Sequence, residues 1–317
     1  MAHSTTIGTD IQQAKQLLSA GQVVGIPTET VYGLAGNALN PDAVLKIFEA
    51  KQRPHFDPLI VHTHSIDEVS KYAAEIPAKA QLLMERFMPG PLTVLLKKQS
   101  IIPDLVTSGL DSVAIRVPQH PLALQLLQQL DFPLAAPSAN PFGYISPTTA
   151  QHVYDQLQGI IPYVLDGGAT TVGVESTIVG FEGDDVIVYR VGGLAVEEIE
   201  AVVGKVHINT NESSNPKTPG ALKSHYAPKK PLLFGDATQL PTDKKIAVIA
   251  FDTYIDGIPH TQQTLLSPTG DLNEAAKNLF AAMRELDNGD ADIIFAIRFP
   301  NEGLGRAIND RLKRAGA

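Results

Sequence analysis

The sequence predicts an α/β protein built from two units. Strand-like apolar runs alternate with helix-like segments from the start of the chain. The length of 317 residues corresponds to about two domains at roughly 150 residues each. The alternation stops at 209–228 and resumes beyond it. A hydrophobic fraction of 44% and a charged fraction of 19% are typical of a folded globular protein, so a disordered chain is excluded.

Caps and apolar spacing mark the helices of the first unit. Asp10 precedes apolar residues at helical spacing, and Asn40-Pro41 opens the next helix because asparagine caps well and proline suits the first turn. Ser146-Pro147 is expected to cap another helix, which ends near Leu157. The predicted helices are, in chain order, 11–20, 41–51, 78–87, 121–130, 147–157 and 196–203.

Short apolar runs between these helices predict buried strands. They lie at 23–26, 59–62, 93–97, 113–117, 134–137, 163–166, 176–181 and 186–191. Helices and strands in this order indicate a mixed sheet.

Residues 209–228 are polar, contain three prolines and show no periodicity. A flexible chain of this length spans about 25 Å, which is enough to lie back over the first unit. Beyond it, strands at 245–251 and 293–299 and helices at 271–287 and 304–314 predict a smaller α/β unit. We therefore expect a domain at 1–208, a linker at 209–229 and a second domain at 230–317.

Charge and cysteine content exclude several classes of protein. A net charge of −9 argues against a general basic surface for nucleic acid. With no cysteine, the chain has no disulfide, thiolate catalysis or cysteine-based metal site. The longest apolar stretches, such as 293–297, fall far short of the ~18 residues of a membrane span. Because the N-terminus also lacks a signal pattern, we expect a cytoplasmic protein with no membrane contact.

Two clusters near predicted strand ends carry charge. Residues 27–34 (PTETVYGL) follow a strand, where open α/β sheets bind ligands, although Thr28 and Glu29 also suit a helix capping box. Lys51 ends a helix and has a structural reason to be cationic, whereas Arg53, two residues on, does not. The pair therefore indicates either a polyphosphate site or a solvated face.

Arg116 lies inside an apolar strand, where a guanidinium needs a partner. That partner is either an internal carboxylate or a substrate carboxylate or phosphate. Small hydroxyl residues at 137–140 (PSAN), at Ser146 and at 174–177 (VEST) permit close approach of a phosphate or an amino acid, but they are also common in turns.

Taken together, these segments resemble the YrdC-like L-threonylcarbamoyladenylate synthases. The resemblance covers about 5–205, and 218–228 and 307–314 look like the linker and the end of the extra domain in two-domain members. The motifs that carry it, in order, are PTETVYGL (27–34), KQR (51–53), DPLIVH (57–62), PGP (89–91), VAIRVP (113–118), PSAN (137–140), GVESTIV (173–179) and RVGG (190–193).

The resemblance implies a fold and a reaction. The fold is a twisted mixed sheet with a concave site, followed by a smaller Rossmann-like α/β domain. In the reaction, L-threonine, bicarbonate or CO2, and ATP give threonylcarbamoyl-AMP and pyrophosphate, for the threonylcarbamoyladenosine modification of tRNA. The enzyme is thus expected to be a nucleotidyltransferase.

The resemblance also implies roles for individual residues. Lys51 and Arg53 are expected to be catalytic, acting on the phosphates. The residues expected to bind L-threonine are Thr30, His62, Arg116, Ala136 and Ser176. Those expected to bind ATP are Arg53, Asp57, Ser112, Ser138, Ser146 and Arg190. Many members have asparagine where this chain has Asp57. A carboxylate beside a nucleotide repels the phosphates unless it faces the ribose, the adenine or a metal ion.

The linker is expected to act as a lid through Ser224, His225 and Tyr226, because a passive tether needs no such cluster. Mg²⁺ is expected to arrive with ATP, without a protein metal site. Expected partners are ATP, L-threonine, bicarbonate and the downstream tRNA threonylcarbamoyl transferase complex, with a weak contact to tRNA.

Two alternatives compete with the synthase. One is a non-catalytic module that binds double-stranded RNA or tRNA, against which the net charge of −9 argues. The other is carbamoyl-adenylate chemistry in hydrogenase maturation. Those relatives carry cysteine zinc fingers, which this chain lacks.

Overall fold

The structure is a computed structural model that describes residues 4–210, 224–241 and 243–317. It has two sheets, and the mixed α/β class predicted from the sequence is confirmed. The strands are β1 (Thr6–Gly8), β2 (Val24–Ile26), β3 (Gly33–Asn37), β4 (Ile60–His62), β5 (Leu92–Lys97), β6 (Ser112–Arg116), β7 (Leu134–Ala135), β8 (Tyr163–Leu165), β9 (Thr177–Glu182), β10 (Asp185–Arg190), β11 (His207–Ile208), β12 (Leu232–Gly235), β13 (Ile246–Ala250), β14 (Gln263–Leu265) and β15 (Ile293–Ile297).

Nine α-helices lie in the described residues. They are α1 (Ile11–Ser19), α2 (Pro41–Lys51), α3 (Ala78–Phe87), α4 (Asp104–Thr107), α5 (Pro121–Gln128), α6 (Ala150–Leu157), α7 (Val196–Val203), α8 (Leu272–Asn288) and α9 (Gly305–Ala315). None of the described helices is long and apolar enough to cross a membrane.

The helix caps show which local predictions were right. Asp10 accepts hydrogen bonds from the first backbone amides of α1, and Asn40 does the same for α2, with Pro41 in the first turn. The predicted cap at Ser146 is wrong: α6 begins at Ala150, and the hydroxyl of Thr149 caps it. The Ser146 hydroxyl instead donates to Glu175, so a distant carboxylate outweighs the local capping preference.

The first unit is built on an eleven-stranded mixed sheet in the order β1-β8-β2-β3-β7-β4-β6-β5-β9-β10-β11. Strands β4 and β6 are parallel and in register, so His62 lies directly beside Arg116. Strand β5 pairs with β6 on one side and with β9 on the other. The start of β9 therefore lies close to β5 and to the end of β6. Residues from distant parts of the sequence therefore meet at the middle of this sheet.

The second unit contains four parallel strands in the order β12-β15-β13-β14, with α8 and α9 packed against them. Helix α8 also packs against the first unit. Its Arg284 donates to the carbonyls of Ile145 and Ser146, and its Asp287 accepts a 2.6 Å hydrogen bond from Tyr144. The second unit is thus joined to the first by specific buried contacts.

Gly173 allows this close packing. Its φ of +81° is a left-handed conformation, and a Cβ at this position would overlap the backbone of Lys277 on α8. Gly168 has nearly the same backbone, φ +79°, but nothing lies within 4 Å of its would-be Cβ. The two glycines therefore separate the cost of the backbone conformation from the cost of contact with α8.

We expect Gly173→Ala to destabilise the protein more than Gly168→Ala does. Both substitutions force alanine into a left-handed conformation at a cost of about 1–2 kcal/mol. Only Gly173→Ala adds steric overlap, which costs about 1–3 kcal/mol more. Urea unfolding of the two variants measures the difference, and equal losses would show that Gly173 is not in contact with α8.

Candidate active site

One cavity lies on the sheet of the first unit and has about 570 Å³ of empty space, part of it open to solvent. Its wall comes from stretches that are far apart in sequence. The lining residues are Thr28, Thr30, Val31, Gly33, Arg53, Ile60, His62, Arg116, Ala136, Pro137, Ser138, Glu175, Ser176, Arg190, His225 and Tyr226.

Arg116 is held from within the protein. Its Nη2 lies 2.7 Å from Oε1 of Glu29, and its Nη1 donates to the Thr30 hydroxyl at 2.9 Å. Arg116 and Glu29 are both only 4% exposed. Of the two kinds of partner that the sequence allowed for Arg116, the structure shows the internal carboxylate, which is that of Glu29. Glu29 lies behind the cavity wall, whereas Arg116 faces the cavity.

His62 lies beside Arg116, and its Nδ1 is 3.1 Å from the carbonyl of Ile60. Burial, reinforced by the positive charge of Arg116, lowers the pKa of His62 to about 3. The imidazole is therefore neutral near pH 7.

Arg53 and Arg190 add two further cations to the wall. The Arg53 guanidinium lies 2.9 Å from Asp57, which is fully buried, and also donates to the carbonyls of Asp57 and Pro58. Arg190 donates to the carbonyl and to the hydroxyl of Ser176, both at 3.0 Å. The Ser176 hydroxyl is also 2.7 Å from that of Thr93 on β5.

Lys51 lies behind this wall and is 1% exposed. Its Nζ donates 2.5 Å hydrogen bonds to the carbonyls of Ser138 and Asn140. Burial and the neighbouring charge of Arg53 lower the pKa of Lys51 well below its ordinary value. The two hydrogen bonds from Lys51 fix the loop that carries Ser138, which lines the cavity.

His225 and Tyr226, from the expected linker, lie in the cavity. Tyr226 has φ +67° and stacks on Phe280 of α8 at 5.6 Å. The His225 ring makes an edge contact with Phe142 at 5.7 Å. Burial lowers the pKa of His225 to about 3, with Arg53 and Lys51 acting in the same direction and Glu175 against them. Residues 211–223 of the expected lid lie outside the described residues.

The predicted site residues fall into three groups: those that line the cavity, those buried behind its wall, and those that lie away from it. Lining the cavity are Thr30, Arg53, His62, Arg116, Ala136, Ser138, Ser176, Arg190, His225 and Tyr226. Buried behind its wall are Lys51, Asp57 and Ser146. Ser112 lies about 13 Å along β6 from Arg116 on the same face, at ~3.3 Å per residue, and Ser224 is exposed.

Glu175 is the lining residue whose importance the sequence analysis missed. Its Oε1 accepts a 2.5 Å hydrogen bond from Ser146, and its Oε2 lies 2.7 Å from Nε of Arg311 in α9. Glu175 belongs to the motif GVESTIV, but its partner Arg311, in the second unit, lies 136 residues further along the chain. No local pattern in the sequence indicates that pairing.

The low pKa values of His62 and His225 predict a loss of stability in mild acid. His62 and His225 stay neutral in the folded state, with pKa values of about 3, whereas their ordinary value is 6.5. Below pH 6.5 the unfolded state therefore binds more protons, and stability falls as the pH drops toward 3. Each histidine contributes a loss of about 2 kcal/mol between pH 7 and pH 5.

Urea unfolding at pH 7 and pH 5 tests this expectation with wild type and His62→Gln. The variant starts from a lower stability, but its loss between the two pH values should be about 2 kcal/mol smaller. An equal loss in both proteins would mean that His62 is protonated in the folded state at pH 5.

Comparisons with known proteins agree with this geometry. Residues 16–192 match the Sua5/YciO/YrdC family model, described as telomere recombination, and residues 194–317 match a model described as the C-terminal domain of threonylcarbamoyl-AMP synthase. A threonylcarbamoyl-AMP synthase of Bacillus subtilis is 40% identical over 98% of this chain and 94% of its own. One of Pyrococcus abyssi is 39% identical over 96% of this chain and 93% of its own.

The crystal structure of P. abyssi Sua5 complexed with L-threonine superimposes with a TM-score of 0.90 at 37% identity. The match covers 100% of this chain and 98% of the other.

Proposed function

The chain belongs to the threonylcarbamoyl-AMP synthase family, and from that membership we propose how its cavity works. The substrates are L-threonine, bicarbonate or CO2, and ATP, and the products are threonylcarbamoyl-AMP and pyrophosphate. The observation that carries the proposal is that Arg53, Arg116 and Arg190 line a single cavity. One cavity with several cations suits a carboxylate beside a triphosphate.

L-Threonine would bind at the Arg116 end. The guanidinium can hold the amino acid carboxylate as a fork, and Ser176 and the neutral His62 lie in the same wall. Ala136 and Gly33 line the same cavity, and their lack of bulk leaves room for a small side chain. The carboxylate would thereby gain a positively charged partner already held in place by Glu29 and Thr30.

ATP would bind beside it, with its phosphates toward Arg53 and Arg190. Between Arg116 and Ser112 lies a buried apolar cluster of Ile60, Ala114 and Ile178. Ile60 of this cluster lines the cavity and offers an apolar contact for the nucleobase. Asp57 does not oppose the phosphates on its own, because its carboxylate is paired with Arg53. The Arg53–Asp57 pair thus leaves the loop less negative than the sequence suggested.

The reaction needs no covalent enzyme intermediate in this proposal. The threonine amine adds to CO2 to form a carbamate, and the proton that it loses passes to the solvent. A carbamate oxygen then forms a bond to the α-phosphorus of ATP as the bond to pyrophosphate breaks. The protein contributes proximity and the charges of Arg53 and Arg190, which offset the negative charge on the phosphates. Lys51 holds the loop that carries Ser138 beside them.

Mg²⁺ would come with ATP. No group of three or more metal-binding side chains occurs among residues 4–210, 224–241 and 243–317. The carboxylates around the cavity are Glu29, Asp57 and Glu175, and each lies against an arginine. The ion would therefore be held by phosphate oxygens and water, where it neutralises charge on the leaving group.

We also propose that the segment with His225 and Tyr226 closes the cavity. The left-handed conformation of Tyr226 costs a residue with a Cβ about 1–2 kcal/mol. It is offset by the contacts that Tyr226 makes with Phe280 and Arg311. A closed cavity would protect the water-sensitive carbamoyl-adenylate.

The remaining partners belong to the proposal as well. They are bicarbonate, the downstream tRNA threonylcarbamoyl transferase complex and a weak contact with tRNA, in a cytoplasmic location. The RNA-binding alternative is not favoured, because the relatives that match nearly the whole chain are synthases.

Pyrophosphate release from ATP tests the proposed function. With bicarbonate present, we expect release to require L-threonine and the product to have the mass of threonylcarbamoyl-AMP. L-Serine and L-valine are matched controls, since each lacks one feature of the threonine side chain. Turnover that ignores threonine would contradict the substrate assignment.

A further inference from the structure

Arg311 is an arginine of the second unit that reaches the cavity wall of the first. It lies on α9 and is 0% exposed, although arginine is seldom fully buried without a partner. Its Nε lies 2.7 Å from Glu175, its Nη1 2.6 Å from Asp310, and its guanidinium carbon 5.1 Å from the centre of the Tyr226 ring. It therefore touches both the wall and the proposed closing segment.

Glu175 is an anion in a cavity proposed to bind a triphosphate. Burial raises the pKa of Glu175, but the charges of Arg311 and Arg190 and the hydrogen bonds from Ser146 and Arg311 outweigh it and leave the pKa below its ordinary value. The carboxylate is therefore ionised near pH 7. Without a cation beside it, this carboxylate would repel the phosphates of ATP.

The same contact fixes the orientation of a predicted ATP-binding residue. With Oε2 of Glu175 held by Arg311, Oε1 accepts the hydroxyl proton of Ser146 at 2.5 Å. Ser146 then presents its oxygen as an acceptor, which suits a ribose hydroxyl or the adenine amino group of ATP and not a phosphate oxygen. Any shift of Glu175 would release that hydroxyl.

We propose that Arg311 is a positioning residue for ATP: it neutralises Glu175, fixes Ser146 through Glu175, and supports Tyr226. This inference rests on the proposed function and gives the second unit a part in nucleotide binding. The competing explanation is that Arg311 only docks α9 onto the first unit. The two explanations differ in which substrate a substitution affects.

ATP and L-threonine affinities measured separately distinguish them. We expect Arg311→Met to weaken the binding of ATP with Mg²⁺ by about tenfold or more, measured by calorimetry without threonine, because Glu175 loses the cation in direct contact with it. Threonine binding should stay within about twofold. In turnover, KM for ATP should rise in the same proportion, whereas KM for threonine should not.

The double variant Arg311→Met/Glu175→Gln gives a stricter test. Removing both charges of a buried pair is much less disruptive than removing one. We therefore expect the double variant to bind ATP within about threefold of Glu175→Gln alone. Additive losses would overturn the proposal, as would equal weakening of both substrates.

Arg306→Met is the matched control. Arg306 lies on the same helix and joins the two units through a 3.0 Å ion pair with Glu197, away from the cavity. It should leave both affinities unchanged. If Arg311→Met does not fold, Arg311→Lys, which keeps the charge but not the fork, should weaken ATP binding by about threefold to tenfold. Unchanged ATP binding in that variant would overturn the proposal.

Calorimetry also separates this inference from the proposed function. If wild type binds ATP but releases no threonine-dependent pyrophosphate, the proposed reaction is wrong. The ATP affinities of the Arg311 and Glu175 variants can still be compared in that case. If wild type turns over normally and Arg311→Met keeps its ATP affinity, the reaction stands and the role of Arg311 fails.

Discussion

Lys51→Met should lower kcat for pyrophosphate release by about 10²-fold or more. Methionine fills a similar volume but cannot donate, so the carbonyls of Ser138 and Asn140 lose the ammonium that holds them. Each buried carbonyl left without a donor costs about 1–3 kcal/mol, and the loop that carries Ser138 should then shift.

Lys46→Met provides the control for this substitution. Lys46 lies on the same helix, and its Nζ donates 2.7 Å to the carbonyl of Gly21, on the side away from the cavity. Its activity should stay within about twofold of wild type. Full activity in Lys51→Met would remove Lys51 from the mechanism and leave it a purely structural residue.

Arg116→Met should have the second large effect, on both stability and threonine affinity. Removing one partner of a buried ion pair leaves Glu29 uncompensated and costs about 3–5 kcal/mol of unfolding free energy. Threonine should bind about 10²-fold more weakly, since its carboxylate loses the only charged group assigned to it. Urea unfolding and calorimetric titration measure the two effects.

Glu29→Gln combined with Arg116→Met separates stability from binding. With both charges gone, the free energy of unfolding should return to within about 1–2 kcal/mol of wild type. Threonine affinity should not recover, because the guanidinium is still absent. Recovery of both would show that Arg116 supports the fold without touching threonine.

Local chemistry predicted the parts of the fold that depend on neighbouring residues. Asp10 and Asn40 cap their helices as expected, because a cap needs only the first turn of the same helix. β3 was missed because Gly33–Asn37 contains glycine, alanine and asparagine in place of β-branched residues. Its place between β2 and β7 comes from sheet packing, which overrides propensity.

The candidate site was likewise predicted only in part from the sequence. The motifs indicated Arg53, His62, Arg116 and Ser176, and all four line one cavity. The register of β4 and β6 places His62 beside Arg116 there. Ser146 was misread as a cap because its partner Glu175 is 29 residues away. Pairings across such distances depend on the whole fold, so the motif predicts the residue but not what it contacts.

A crystal structure of the protein with L-threonine and a non-hydrolysable ATP analogue is the most direct test of one cavity holding both substrates. We expect the threonine carboxylate on Arg116, its amine facing the α-phosphate, and the triphosphate against Arg53 and Arg190. Threonine bound elsewhere, or a nucleotide whose phosphates avoid all three arginines, would contradict the account.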